Sequence, residues 1–128
     1  MARINQNGFE RLTAYSPEIT YKLKTSLIEP PELTLRLKPL DRIGLLDAAG
    51  WGAEMKLGKI IAAAALEAVI GWDLQNEASE PIPLTEENKQ RYLLPLLSAE
   101  IADGRPGELL GIKIFTDATD QDLFIKKN

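Results

Sequence analysis

The chain contains neither cysteine nor histidine, and these two absences remove much of catalytic chemistry. Without them there is no zinc site of the Cys/His type, no thiol nucleophile, no Ser-His-Asp triad and no imidazole proton shuttle. Lack of cysteine also fits a reducing compartment. Long apolar runs are missing as well. The most apolar stretch, residues 60–70, carries one charge, Glu67, in eleven residues, whereas a bilayer span needs about 20. A basic excess is absent too: 15 Lys and Arg against 19 Asp and Glu give a net charge of −4, which offers no footprint for binding nucleic acid by counterion release. Residues 1–12 hold no apolar core of signal-peptide length. The expectation is a cytoplasmic protein with no nucleic acid, membrane, metal or cofactor as partner.

At 128 residues the chain has the length of one domain, enough to bury a single core unaided. Residues 1–16 are polar with scattered Ile4, Phe9, Leu12 and Tyr15, which predicts an arm. Period-two alternation follows. Ile19, Tyr21 and Leu23 alternate with Thr20, Lys22 and Lys24, and Leu33, Leu35 and Leu37 repeat the pattern against Thr34, Arg36 and Lys38. Two half-buried antiparallel strands are expected over residues 17–38, separated by a loop that Pro30 and Pro31 forbid from joining a ladder. The basic outer face, Lys22, Lys24, Arg36 and Lys38, reads as a solvated strand face, with docking of an acidic partner as the alternative.

Residues 39–115 read as a helical body. A short helix over 41–49 opens at Asp41, placed to cap it, and stops at Gly50-Trp51-Gly52. Trp51 then plugs the corner between two helices or, exposed, acts as a hot spot. A central helix begins near Ala53 and runs through Leu57, Ile60, Ile61, Ala64, Leu66, Ala68, Val69 and Ile70 to Gly71 and Trp72. Alanines 62–65 let neighbouring backbones approach closely, so this helix is expected to be flanked by others or to lend its spare face to another subunit. Residues 73–84 form an acidic, proline-bearing loop. Thr85-Glu86-Glu87-Asn88 then supplies an N-cap hydroxyl and two first-turn acids, with Leu84 as a hydrophobic staple. Tyr92, Leu93, Leu96, Leu97 and Ile101 make the apolar face of the helix that follows, and Pro95 inside it predicts a kink or a division into short pieces. Residues 103–107 stop it. Residues 108–115 fit either a helix or a strand. The tail, 116–128, is acidic; its Asp117, Asp120 and Asp122 lack the glycine and terminal glutamate of a calcium loop and read as a solvated acidic tail, and its apolar Leu123-Phe124-Ile125 either docks or acts as a tether. The fold expected is α+β but mainly α: a small helical domain with an amino-terminal two-stranded β ribbon.

The step Val69-Ile70-Gly71-Trp72, the stretch Pro81-Ile82-Pro83 and the helix start Thr85-Glu86-Glu87-Asn88 together resemble the tail assembly chaperones of long-tailed bacteriophages and prophages, over about residues 33–97. Leu37-Lys38-Pro39-Leu40 is similar to the point where a strand enters the first helix in such proteins. The resemblance implies a small cytoplasmic, non-enzymatic protein that coats the helical tape measure protein, keeps it soluble until tail tube protein polymerises around it, and possesses no catalytic residues. On this reading the candidate partner contacts are Trp51, Ala64, Ala68, Trp72, Leu123 and Phe124, with a homo-oligomer as a further option. Three other readings stay open: a tail or head-completion structural protein, a regulatory adaptor, and a helical enzyme of unknown chemistry.

Overall fold

The two alternating stretches become adjacent antiparallel strands, β1 (Glu18–Lys24) and β2 (Glu32–Leu37), in the register Ile19 opposite Leu35 and Tyr21 opposite Leu33. Side chains of successive strand residues point to opposite faces. One face therefore gathers Tyr21, Leu23, Leu33, Leu35 and Leu37, all buried. On the other, Thr20 and Thr34 share a hydroxyl–hydroxyl hydrogen bond of 2.8 Å and Arg36 reaches Glu18 at 2.7 Å. The fold is that of a computed structural model, which describes residues 1–6, 16–40 and 57–124. The expected arm over 7–15, the helix over 41–49, the corner at Trp51 and the start of the central helix near Ala53 lie outside the described residues.

The strands do not form an isolated ribbon. They belong to a four-stranded antiparallel sheet of order β3-β2-β1-β4, where β3 is Val69–Trp72 and β4 is Glu100–Ile101. The expectation of a mainly helical domain is corrected accordingly: the fold is α+β, built on a sheet with helices against one face. A two-stranded ribbon is marginal in water, and two further strands supply the missing ladder. The central helix, α1 (Leu57–Ala68), is shorter than its apolar run because the chain passes at Ala68 straight into β3. Val69 and Ile70 are β-branched and lose rotamer freedom in a helix, whereas a pleated surface accepts them. Gly71 and Trp72 thus lie in a strand instead of ending a helix. Gly71 faces Arg36 across the ladder, where an added Cβ would stand 3.1 Å from the Arg36 Cβ.

The next helix, α2, comprises Glu86–Asn88, a π-helical turn Lys89–Leu93 and Leu94–Leu96. As expected, Thr85 caps it: its Oγ1 accepts the Asn88 N–H at 3.1 Å. The division expected at Pro95 is present as well. Proline cannot donate into a helical ladder, and the turn before it has widened so that the Leu94 N–H donates to the Lys89 carbonyl. Residues 108–115, readable either way, are mostly helix. Leu109 bridges Glu100 and the chain then enters α3 (Leu110–Ala118). Helices α1 and α3 pack together, so closely that a Cβ on Gly111 would lie 3.0 Å from the Ile61 Cγ2 and 3.3 Å from the Leu97 Cβ. A 3-10 turn, Gln121–Phe124, seats the Phe124 side chain in the core. The apolar triplet of the tail docks, as far as it is described, and Asp117 belongs to a helix and is buried, contrary to its reading as part of a solvated acidic tail.

Leu35 has no exposure, whereas Leu66 is only partly buried. Leu35→Ala is therefore expected to destabilise the fold by about 2–5 kcal/mol and Leu66→Ala by less. Urea midpoints of the two variants at equal m-value check the order.

Candidate functional site

The sheet topology places two connections side by side. β1 and β3 are both antiparallel to β2, so the loop leaving β1 (residues 25–31) and the loop leaving β3 (73–84) emerge at the same end, on either side of the start of β2. Local chemistry fixes the second loop. The Asp73 Oδ1 accepts the Thr34 N–H at 3.0 Å, tying the loop to β2. The Asn76 Oδ1 accepts the N–H groups of Ala78 and Glu80, an Asx-type turn completed by a left-handed Ser79 at φ 61°. Gln75 bridges Pro81, the Ile82 N–H donates to the Leu74 carbonyl, and the Trp72 ring N–H donates to the Ile82 carbonyl at 2.7 Å. Trp72 thus clamps the proline stretch across the end of its own strand.

Between the loops lies a groove with two unlike halves. One is a cleft of 670 Å³ whose lining, among the described residues, includes four carboxylates, Glu29, Glu32, Asp73 and Glu77, and no lysine or arginine. The other, 390 Å³, runs on to α2 and is lined by Leu27, Ile28, Ile82, Tyr92, Pro95 and Leu96 among others. Leu27, Ile28 and residues 74–77 belong to both, so the halves share a wall. At the far end of the apolar half the Arg91 guanidinium stands 5.3 Å from the centre of the Tyr92 ring, within range of a cation–π attraction. Leu27, at the rim, is 63% exposed.

Among the described residues two charged groups are buried elsewhere, Asp117 and Lys89, and each has a structural partner. The Tyr21 hydroxyl donates to the Asp117 Oδ2 at 2.7 Å, and the Lys113 Nζ lies 3.4 Å from the Asp117 Oδ1. Burial, reinforced by the hydrogen bond to Asp117 and by its charge, pushes the Tyr21 phenol far above its ordinary value of 10.0. Lys89 runs its stem through the core, donates to the Leu66 carbonyl at 2.7 Å and lies 3.6 Å from Glu86. Among the described residues no buried side-chain nitrogen or oxygen lacks a hydrogen-bond partner, and no group of His, Cys, Asp or Glu is arranged to hold a metal ion.

The residues singled out from sequence are not brought together at the groove. Ala64, Ala68 and Phe124 are buried in this chain's own core, so the alanines have no spare face. Trp72 is half-buried with its ring N–H satisfied, Leu123 packs on the core edge, and Trp51 lies outside the described residues. The groove residues Leu27, Glu29, Glu32, Glu77 and Tyr92 escape sequence reasoning because 48 positions separate Glu29 from Glu77 and only the strand order unites them. One signal was readable: both loops carry acids next to prolines. No family model, curated protein or solved structure matches the chain. No helix among the described residues is long and apolar enough to cross a membrane.

Removing the Tyr21 hydroxyl leaves the buried Asp117 carboxylate without its donor. Tyr21→Phe is expected to cost about 1–3 kcal/mol near neutral pH. Because the folded phenol ionises above its unfolded value, the stability it contributes is complete below pH 10 and declines as pH rises above that, where only the unfolded chain gives up the proton. The gap between wild type and Tyr21→Phe should therefore narrow above pH 10, as urea unfolding of both across that range can check.

Proposed function

We propose that this chain is a tail assembly chaperone that holds the helical tape measure protein of a long-tailed phage or prophage until tail tube subunits enclose it. The observation that carries the reading is a coincidence of place. Val69-Ile70-Gly71-Trp72, Pro81-Ile82-Pro83 and Thr85-Glu86-Glu87-Asn88, the segments in which the sequence resembles such chaperones, are the segments that build and brace one side of the groove: Trp72 clamps Ile82, Ile82 lines the apolar half, and the capped start of α2 leads into Tyr92 and Pro95. A holding function needs an accessible apolar surface and no reacting group. The exposed Leu27 and the half-buried Tyr92 offer such a surface beside solvating charge.

Gene order and co-expression test the reading. The coding sequence should lie directly upstream of a very long, helix-rich reading frame and downstream of a tail tube gene. Co-expression with the long protein should raise that protein's soluble fraction. Leu27→Asp combined with Tyr92→Ala should weaken recovery of the complex by roughly tenfold, the scale expected when anchor residues are lost. A client equally soluble with and without this chain refutes the proposal.

A further inference from the structure

We infer that the occupant of the groove is a basic amphipathic segment of a protein, with apolar side chains over Leu27, Ile82, Tyr92 and Pro95 and lysines or arginines against Glu29, Glu32, Asp73 and Glu77. The inference rests on the groove being the client site proposed above and adds the chemistry of what enters it.

Charge carries the argument. Among the described residues five carboxylates are answered by cations, Glu18 by Arg36, Glu67 by Lys38, Glu100 by Lys24, Glu86 by Lys89 and Asp117 by Lys113, whereas others, such as Glu87, Asp103 and Asp122, stand singly without one. In the groove four unpaired acids line one cleft. Among the described residues Glu29, Glu32, Asp73 and Glu77 find no ion-pair partner, and the only one of them with a described hydrogen-bond donor is Asp73, which accepts the neutral backbone N–H of Thr34. The one cation among the described lining residues, Arg91, belongs to the apolar half, where it stands over Tyr92. A concave surface lined by one sign of charge concentrates its field in the opening. Anionic lipid, nucleic acid and acidic peptides are repelled there, and a cationic partner is drawn in. Cations alone leave the second half unused. The apolar lining is continuous with the acidic one through Leu27, Ile28 and Leu74, so the matching surface has positive charge along one stretch and apolar bulk along the next. A lysine- or arginine-bearing amphipathic helix presents that combination on neighbouring faces.

Three synthetic peptides of roughly 18 residues, long enough to form helix on a surface, test the point against the full chain by fluorescence anisotropy. One carries leucine and lysine in amphipathic order, one replaces each lysine with glutamate, and one replaces each leucine with serine. The leucine/lysine peptide is expected to bind at least tenfold more tightly than either of the others and to weaken as salt is raised from about 0.05 M to about 0.5 M, since exposed charges are then screened. The exposed triple variant E29Q/E32Q/E77Q, which spares the Asp73 link to β2, should lose that preference for lysine over glutamate while keeping its circular dichroism melting curve. Equal binding of the lysine and glutamate peptides overturns the inference, as does equal binding of the serine/lysine peptide, which would reduce the groove to a bare acidic patch. Should the triple variant melt earlier, charge discrimination by the wild-type chain together with loss of the leucine-over-serine preference in Leu27→Ser decides the matter, and retention of that preference in Leu27→Ser overturns the inference. The two proposals fail separately. Absence of charge preference with the client still held soluble removes the occupant and leaves the chaperone; a client indifferent to the chain removes the chaperone and leaves a charge-selective groove.

Discussion

Leu33, Leu35 and Leu37 on β2 have no exposure to solvent, and keeping water from this one strand face determines where the other described elements lie. Each fully buried leucine is worth about 1.5–3 kcal/mol, a large share of the 5–15 kcal/mol by which domains of this kind are stable. A single sheet covers only the edges of such a strand, so something must lie on its face. The cover is α1 and α3, drawn close by Ala64, Ala65 and Ala68 on one helix and Gly111 on the other. The same face carries Tyr21 on β1. Its ring belongs in the core but its hydroxyl does not, and an unpaired buried hydroxyl costs more than the ring's neighbours can readily offset. Asp117 near the end of α3 accepts it at 2.7 Å. One hydrogen bond thus fixes how far α3 slides along the sheet, and Lys113 one turn earlier shares the carboxylate's charge.

The groove is a by-product of that arrangement before it is a site. With β2 flanked on both sides by antiparallel neighbours, the two loops that leave those neighbours must rise at one end. The β1–β2 loop is too long and too proline-rich to fold into a tight turn. The loop after β3 is held open by its own Asx-type turn and by the Trp72–Ile82 clamp. Neither loop can collapse onto the other, and α2, coming back beneath them, supplies the apolar floor. The contrast with the outward face of the sheet is instructive. That face is also rich in charge, but Glu18 with Arg36 and Thr20 with Thr34 meet across the β1–β2 register, while Lys24 and Lys38 lie against Glu100 and Glu67. Balanced pairs like these contribute little individually and leave little net field. At the groove, by contrast, four carboxylates unpaired among the described residues face one cleft.

Half of this was readable from sequence. The alternation of residues 18–24 and 32–37 determined two strands and their inward faces, because a one-residue shift in either would have turned leucines to solvent. Thr85 announced a helix start through chemistry confined to four residues. What stayed hidden is non-local. Nothing between Ala62 and Trp72 separates helix from strand by periodicity, since a run with a single charge, Glu67, shows no clear period and fits both. Two charges on helix faces were signals of another kind. Lys89 stands four residues before Leu93, and Asp117 three after Ile114, so each falls on an apolar stripe. A charge in such a position asks for a buried partner, but only the assembled fold supplies its name: the Leu66 carbonyl for one and the Tyr21 hydroxyl for the other.

Why the helix ends at Ala68 follows from the same buried groups. The last carbonyls of any helix lack an internal partner, and a helix that stops inside a core must have them satisfied from elsewhere or keep winding. Here both needs are met by residues distant in sequence. The Lys89 ammonium reaches the Leu66 carbonyl, where its positive charge also suits the negative end of the helix dipole. The backbone N–H of Lys38, just beyond β2, donates to the Ala68 carbonyl at 2.9 Å. With those acceptors answered, the next residues are free to use their own N–H and C=O groups laterally, and Val69 pairs with Leu37 in the ladder at once. The turn from helix to strand therefore does not depend on a breaker residue, which is why no glycine or proline marks it. It depends on α2 carrying a lysine into the core at the right height. That same requirement anchors α2 beneath the loops, so the device that converts α1 into β3 also places Tyr92 and Pro95 along the floor of the groove.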